Sequence, residues 1–437
     1  MDKRGLAKAL APSLTSGPWS GTVIRTILAR RLPHQLQYLV DDLGAELIEG
    51  LPLTYSPAAR VVVDILVQSD GFDKVFSFCR QHNVWPDHDL SPAWMSPIAA
   101  FAKLDVPQLP TCHALAEWLF LPIERLEYLA DVNGRYDQHG EEAINHYRYI
   151  LRPKKSGSLR IIEAPKPHLK TAQRQILHGI LDKVSAHSNA FGFVRGRNCI
   201  GAAARHAAEQ TLLSFDLRDF FPSIGSARVF GLFRCLGYPY EVARTLTGLC
   251  TTTTPLRIVN QLASADRHNY RRPHLPQGSP ASPALANLTA FTLDRRLSAL
   301  ARSLSANYSR YADDLSFSGD RMIGGTLLRV VPSIVAEEGF HLNTAKTRIA
   351  SRTSRQIVTG IVVNEHLNVD RRVFDNLKAV IHACGKAGDL QLDDPAFRNS
   401  LLGKIGWVEA VNRNRGQKLW KLLSVTIAKR GKYAAAS

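Results

Sequence analysis

The sequence predicts an α+β protein whose N-terminal and C-terminal parts are mainly helical. Segments with the composition and alternation of strands occur at residues 159–162, 211–216 and 307–318. Apolar residues recur at helical spacing before them, at residues 59–68, and after them, at residues 373–384. Strands gathered in the middle of the chain, with helices on both sides, are typical of an α+β fold rather than of regularly alternating βα units.

The composition indicates a globular, strongly basic protein. The chain has 437 residues, 45% of them hydrophobic, and 55 Lys and Arg against 38 Asp and Glu give a net charge of +17. Such a charge predicts a polyanionic partner, nucleic acid before a membrane surface. No apolar run has the length of a membrane span, and the basic N-terminus lacks the apolar segment of a secretory signal. We therefore expect a cytoplasmic protein that does not enter a membrane.

A cluster of prolines suggests where the first domain ends. Prolines occur at positions 86, 92, 97, 107 and 110, and they interrupt helices and strands alike. We predict an accessory region at residues 1–105, a central region at 106–365 and a basic helical region at 366–437. Four residues near the first boundary are of types that bind metals, but polar residues between prolines are also typical of a solvated loop, which we favour. They are His82, Asp87, His88 and Asp89.

Basic residues dominate residues 152–174, where Glu163 is the single acid. The alternating segment 159–162 predicts a hairpin strand that carries Arg160 and ends at the following prolines. The next apolar spacing predicts an amphipathic helix at residues 171–184, with Gln173 on its polar face. Two interpretations of this basic segment stay open, a phosphate-binding surface and an ordinary solvated face.

Asp216 follows the apolar segment 211–215 directly, and the aromatic residues Phe220 and Phe221 come next. A carboxylate at the end of a buried strand is held rigidly, as a catalytic or metal-binding acid must be. The alternative is an Asp that caps a helix after a strand-to-helix turn. The second acidic motif of the chain bears on this choice.

That second motif is the pair Asp313 and Asp314, which lies between two alternating segments and so predicts a hairpin with acids at its tip. Neighbouring carboxylates raise each other's pKa unless a cation offsets them, so the tip is a natural site for divalent metal. Asp pairs at positions 41–42 and 393–394 lack such flanking strands. With Asp216, the tip predicts a site for two Mg²⁺ ions and phosphoryl-transfer chemistry.

Several motifs together make the sequence similar to the bacterial reverse transcriptases of the retron type. In chain order they are Asp216 to Pro222, Leu275-Pro276-Gln277-Gly278, Tyr311-Ala312-Asp313-Asp314, Glu338 to Thr347, and Val358-Thr359-Gly360. The resemblance runs from about residue 110 to the end of the chain. It departs from the family at Ala202 to His206, where the His of an Asn-Ala-x-x-His element is kept and the Asn is absent.

The resemblance implies a right-hand polymerase with fingers and palm at residues 106–365, a helical thumb at 366–437 and an N-terminal extension. It implies that Asp216, Asp313 and Asp314 are the catalytic, Mg²⁺-binding acids. Four residues would bind the deoxynucleoside triphosphate, with Phe221 as the ring that excludes a 2′-hydroxyl: Arg160, Phe221, Gln277 and Lys346. Four others would bind RNA: His206, Val358, Thr359 and Gly360.

The family further implies RNA-directed synthesis of DNA from a dedicated non-coding RNA, primed by the 2′-hydroxyl of a guanosine, and a role in antiphage defence. Implied partners are the RNA, its DNA product, a host ribonuclease H and a retron effector protein. Three alternatives stay open: a group II intron-like enzyme, a defence polymerase that works without a template, and a non-catalytic RNA-binding scaffold. The three acids argue against the scaffold, which has no need of carboxylates beside phosphates.

Overall fold

The structure of the protein is a computed structural model that describes residues 1–15, 19–51, 57–86, 94–134, 144–154, 157–386 and 391–434. Asp87, His88 and Asp89, which we expect to belong to a solvated loop, lie outside these ranges. Within them, none of the helices combines the length and apolar character that crossing a bilayer requires.

The secondary structure confirms an α+β chain with a mainly helical N-terminal region. The described α-helices are Lys3–Thr15 (α1), Gly21–Arg31 (α2), Val40–Gly50 (α3), Ala59–Gln68 (α4), Asp70–His82 (α5), Cys112–Trp118 (α6), Ile123–Ala130 (α7), Pro167–Gly179 (α8), Cys199–Ala204 (α9), Phe220–Ser223 (α10), Ser226–Cys235 (α11), Tyr240–Cys250 (α12), Leu256–Val259 (α13), Ser282–Thr289 (α14), Phe291–Ser303 (α15), Ile323–Glu337 (α16), Arg371–Ala383 (α17), Pro395–Val411 (α18) and Arg413–Ala434 (α19). The described strands are Tyr147–Pro153 (β1), Leu159–Pro165 (β2), Thr211–Asp216 (β3), Asn307–Tyr311 (β4), Asp314–Gly319 (β5), Arg348–Ser351 (β6), Ile357–Val358 (β7) and Ile361–Val362 (β8).

The chain divides into two compact units that each combine separate segments. Unit 1 contains Met1–Ser185 and Phe221–Thr289, and unit 2 contains Ala186–Phe220 and Ala290–Ser437. The boundaries of these units differ from the domain boundaries expected from the sequence, because neither residue 105 nor residue 365 ends a unit. The boundaries at residues 105 and 365 stay predictions.

Unit 1 begins with helices α1 to α5, which enclose an apolar core of their own. Its fully buried members include Leu6, Leu10 and Ile24, and burial of such side chains is the main force that holds short helices together. The predicted helix at 59–68 is confirmed as α4. His82 is exposed at the end of α5, where its ring lies 4.3 Å from that of Phe78.

The antiparallel hairpin of β1 and β2 follows in unit 1, and Arg160 lies opposite Arg152 in its register. The predicted hairpin is therefore confirmed. The next helix, α8, begins at Pro167 and ends at Gly179, so the prediction of 171–184 was displaced toward the C-terminus. Proline suits the first turn of a helix, where its missing N–H has no partner to lose.

Unit 2 is built on a four-stranded antiparallel sheet with the strand order β4-β5-β3-β6. β3 is buried along most of its length and lies between β5 and β6. Asp216 ends β3 and lies directly opposite Asp314, the first residue of β5. The predicted strand before Asp216 and the predicted acidic hairpin are both confirmed.

The C-terminal part of unit 2 consists of the β7–β8 hairpin and helices α17, α18 and α19. These elements share one core, whose fully buried members include Ile361, Ile381 and Ile405. Most basic side chains of α18 and α19 are exposed, and the exposed ones described are Arg398, Lys404, Arg413, Lys418, Lys421 and Lys429. Their charges are thus available to a polyanion.

Candidate active site

The three acids predicted from the sequence lie together at the end of the unit 2 sheet. The antiparallel register places Asp216 opposite Asp314, and the backbone N–H of Leu217 donates to the carbonyl of Asp313 at 2.9 Å. β4 and β5 pair up to Tyr311 and Asp314, so Ala312 and Asp313 form a two-residue loop. Backbone hydrogen bonds of the sheet therefore fix the distance between the acids.

Lys346 also belongs to this cluster, because the loop that carries it is bonded to the end of β3. The N–H of Asn343 donates to the Asp216 carbonyl at 2.8 Å. The Lys346 ammonium donates to Asp216 Oδ2 at 2.8 Å while 57% of its side chain remains exposed. This hydrogen bond raises the pKa of Lys346 above its ordinary value, so the residue is a cation at neutral pH.

The electrostatics of the cluster favour an additional positive charge. Partial burial, together with the charges of Asp313 and Asp216, raises the pKa of Asp314 to about 6. Burial is the largest cause of this rise, the two neighbouring carboxylates add to it, and the Lys346 ammonium opposes it. Oxygen donors with a surplus of negative charge are what hard divalent cations bind.

The donor set therefore fits a divalent metal ion, with Asp216 and Asp313 as ligands and Asp314 beside them. In the described ranges, however, no three His, Cys, Asp or Glu side chains are already arranged around a metal position. The ammonium of Lys346 is the cation that contacts Asp216 here.

Phe220 and Phe221 have different surroundings. Phe220 is 4% exposed, and its ring lies 5.8 Å from that of Phe340, so it is a core residue of unit 2. Phe221 belongs to unit 1 and is half-buried in helix α10. A sugar-excluding residue needs some exposed surface, and that role of Phe221 stays a prediction.

Arg160 lies on β2, and the Gln277 backbone is bonded to the same strand within unit 1. Arg160 is exposed on β2, and the N–H of Glu163 on the same strand donates to the Gln277 carbonyl at 2.9 Å. Gly278 follows with a φ angle of 144°, and a Cβ there would be 2.7 Å from the Glu163 carbonyl oxygen. The loop approaches β2 so closely that only glycine fits.

Two buried polar networks hold the loop of Gln277, and sequence reasoning missed both. Gln173, expected on the polar face of its helix, is fully buried; it donates to the Tyr147 hydroxyl at 3.0 Å and accepts from Ser279 at 2.8 Å. On the other side, Glu163 accepts from Thr254 and lies 3.1 Å from His274 Nε2. Burial opposes protonation of His274, but the Glu163 carboxylate raises its pKa overall.

His206, predicted to bind RNA, has no exposed surface. Its two ring nitrogens each lie 2.7 Å from a serine hydroxyl, that of Ser318 on β5 and that of Ser309 on β4. Burial lowers the pKa of His206 to about 3. The structure thus gives His206 a role in joining two strands, and any effect on RNA would be transmitted through them.

The three residues of the Val-Thr-Gly motif lie at the β7–β8 turn. Val358 is buried in the C-terminal core, the Thr359 hydroxyl donates to the carbonyl of Cys199 at 3.0 Å, and Gly360 has a φ angle of 83° with open space around it. Gly360 and the exposed side of the turn are therefore the parts of the motif that can meet RNA.

Comparisons with known proteins identify a family to which the chain is similar. Residues 152–373 match the family described as reverse transcriptase (RNA-dependent DNA polymerase). The retron Mx65 reverse transcriptase of Myxococcus xanthus is 39% identical over 280 residues, which cover 64% of each chain. The retron Mx162 enzyme of the same organism is 38% identical, with 69% of this chain and 68% of the relative covered. The retron Ec86 enzyme of Escherichia coli is 32% identical, with 66% and 83% covered.

Proposed function

The chain belongs to the reverse transcriptase family of RNA-directed DNA polymerases, and from this premise we propose that it copies a dedicated non-coding RNA of a retron into DNA. The family match also confirms the predicted right-hand polymerase fold. The relatives named above carry retron names, and the chain has the Val358-Thr359-Gly360 triplet at a surface turn. The observation that carries the proposal is the pairing of Asp216 with Asp314 across β3 and β5.

The reaction joins a primer hydroxyl to the α-phosphorus of a deoxynucleoside triphosphate and releases pyrophosphate. Mg²⁺, when bound, would lower the pKa of the attacking hydroxyl and neutralise the triphosphate. Asp216 and Asp313 would hold the metal, and Asp314 would complete the acidic set. Lys346, already bonded to Asp216, would keep that carboxylate oriented and give a proton to the leaving pyrophosphate.

The nucleotide would be held by three further residues. Arg160 is exposed on a basic hairpin, which suits a triphosphate. Gln277 lies on the loop that Gln173 and Glu163 hold in place, so its position is fixed before a nucleotide arrives. Phe221 would exclude a 2′-hydroxyl by its shape and so favour DNA synthesis.

The RNA would be bound by the exposed basic side of α18 and α19 and by the turn at Gly360. Shape and phosphate charge dominate recognition of RNA duplexes, which suits a surface rich in lysine. We further propose that the guanosine 2′-hydroxyl of the RNA primes synthesis, that a host ribonuclease H and an effector act with the enzyme, and that the system works in the cytoplasm in antiphage defence.

The proposal is tested by the nucleic acid that copurifies with the protein when the gene is expressed with its flanking DNA. Wild type, Asp313→Asn and the matched control Asp320→Asn are compared, since Asp320 is exposed just after β5. Extracts are treated separately with ribonuclease, deoxyribonuclease and debranching enzyme. We expect a short DNA, shifted by ribonuclease and by debranching, in wild type and Asp320→Asn and absent from Asp313→Asn.

Other results would favour the alternatives. RNA without DNA in all three samples would indicate a non-catalytic scaffold. DNA without an RNA linkage would indicate a polymerase that works without this template or is primed differently, and a group II intron-like enzyme would yield DNA copied from long intron RNA.

A further inference from the structure

We propose that Asp294 and Arg310 are positioning residues for the reaction: as a buried ion pair they fix the loop that presents Asp313 and Asp314. This inference rests on the proposed catalytic role of those two acids. Neither Asp294 nor Arg310 is part of the acidic cluster itself. Their contribution is to the geometry of the hairpin tip.

The pair is completely buried. Asp294 on α15 and Arg310 on β4 are each 0% exposed. Arg310 Nε donates to Asp294 Oδ1 at 2.8 Å and Arg310 Nη2 donates to Oδ2 at 2.6 Å, which is the two-point geometry in which a guanidinium is held most rigidly. The Tyr308 hydroxyl donates to the same carboxylate at 2.8 Å. The guanidinium is therefore anchored to a helix before it contacts the hairpin.

The third nitrogen of the guanidinium, Nη1, contacts the loop. Arg310 Nη1 donates to the carbonyl of Ala312 at 3.1 Å. Ala312 is the first of the two loop residues, and Asp313 is the second. A carbonyl held by an anchored guanidinium fixes the peptide plane between Ala312 and Asp313. The orientation of that plane in turn sets the direction of the Asp313 side chain.

The loop needs such support because its backbone is strained. The φ angle of Ala312 is 56°, in the left-handed region that residues with a Cβ rarely adopt. A two-residue hairpin loop requires a positive φ, and glycine is the residue that usually supplies it. Here alanine is kept in that conformation by its surroundings, a condition often found at functional sites.

A second contact supports the loop from another side. Gly192 approaches it so closely that a Cβ at position 192 would be 2.6 Å from the Ala312 nitrogen. The segment of Gly192 is itself bonded to β4, since the N–H of Phe191 donates to the Arg310 carbonyl at 2.8 Å. Arg310 thus takes part in both supports, through its side chain and through its backbone.

The test replaces the buried polar set by apolar residues of similar size. The variant Asp294→Leu with Tyr308→Phe and Arg310→Met leaves none of these three side chains with a buried unpaired group, a replacement that folds tolerate well, and it removes the donor to the Ala312 carbonyl. Arg234→Met is the matched control, because Arg234 is also buried and its Nη1 also donates to a carbonyl, that of Tyr238, in unit 1.

We measure thermal stability, RNA binding and single-nucleotide incorporation on an annealed RNA template. We expect the triple variant to fold and to keep the wild-type KM for the nucleotide. Its kcat should fall about 10- to 100-fold, which is the loss that a small misplacement of a catalytic group causes. Adding Ala312→Gly to the triple variant should raise its kcat about five-fold, since glycine adopts the loop conformation without strain. A purely structural role predicts no such recovery, and Arg234→Met should keep kcat.

A folded triple variant with the wild-type kcat would overturn the inference. If the triple variant does not fold, Arg310→Lys decides, because an ammonium can keep the charge beside Asp294 while the Nη1 donor to the Ala312 carbonyl is lost: a loss in kcat at unchanged KM supports the inference, and an unchanged kcat overturns it. Inactivity of the wild type itself would instead contradict the proposed polymerase function, so the two failures are distinguishable.

Discussion

Acidification should destabilise unit 2 through His206. The folded protein keeps this histidine neutral, with a pKa of about 3 against the ordinary 6.5, because the ring is buried between the hydroxyls of Ser309 and Ser318. The unfolded chain takes up the proton near pH 6.5, whereas the folded chain does not. Stability is therefore full above pH 6.5 and falls as the pH drops toward 3.

The size of the effect follows from these two pKa values. At pH 5 the unfolded state gains about 2 kcal/mol from protonation that the folded state does not gain, and at pH 7.5 it gains almost nothing. We expect the free energy of unfolding in urea to fall by about 2 kcal/mol more in wild type than in His206→Gln between pH 7.5 and pH 5. His113→Gln, which removes an exposed histidine, should behave like wild type. Equal losses in wild type and His206→Gln would refute the reasoning.

Three further variants test the nucleotide site by steady-state incorporation kinetics. Phe221→Ala should lower discrimination against ribonucleotides by about 10- to 100-fold, and unchanged selectivity would remove Phe221 as the sugar-excluding ring. Lys346→Met should lower kcat by about 100-fold at similar nucleotide KM; full activity would contradict a part in catalysis. Gly278→Ala should raise the nucleotide KM about ten-fold, because its Cβ would meet the Glu163 carbonyl at 2.7 Å. Gly403→Ala, with open space around it, is the control, and equal KM values in both variants would contradict the argument.

The acids were predictable from the sequence because their signals are local. An apolar strand that ends in Asp216, and two alternating segments around Asp313 and Asp314, specify both the elements and their acidic ends. The antiparallel pairing then brings the acids together. Arg160 was likewise placed correctly on its hairpin by a short alternating segment.

The supporting residues were not predictable, because their partners are distant in sequence. Gln173 looks like an ordinary polar residue of an amphipathic helix, and its partner Ser279 is 106 residues away. Arg310 has the appearance of an exposed charge on a strand, yet its ion pair with Asp294 depends on how α15 packs beside β4. A sequence pattern reports which face is apolar; it does not report which polar groups find a buried partner.

His206 shows that a motif can also suggest a surface role for a residue that is buried. The motif around it suggested an RNA contact, whereas its burial and its two serine partners assign it to the sheet. Nothing in residues 202–206 alone distinguishes a surface histidine from one that joins two strands. The distinction depends on hydroxyls that the chain supplies about a hundred residues later.

The central claim is tested most directly by primer extension with the purified protein on an RNA template with an annealed DNA primer, in the presence of Mg²⁺ and all four deoxynucleotides. The comparison includes wild type, Asp313→Asn and Asp320→Asn. The account predicts full-length DNA from wild type and Asp320→Asn, and a loss of at least about a thousand-fold in Asp313→Asn with RNA binding retained. No extension by a folded, RNA-binding wild type, or extension by Asp313→Asn at the wild-type rate, would contradict it.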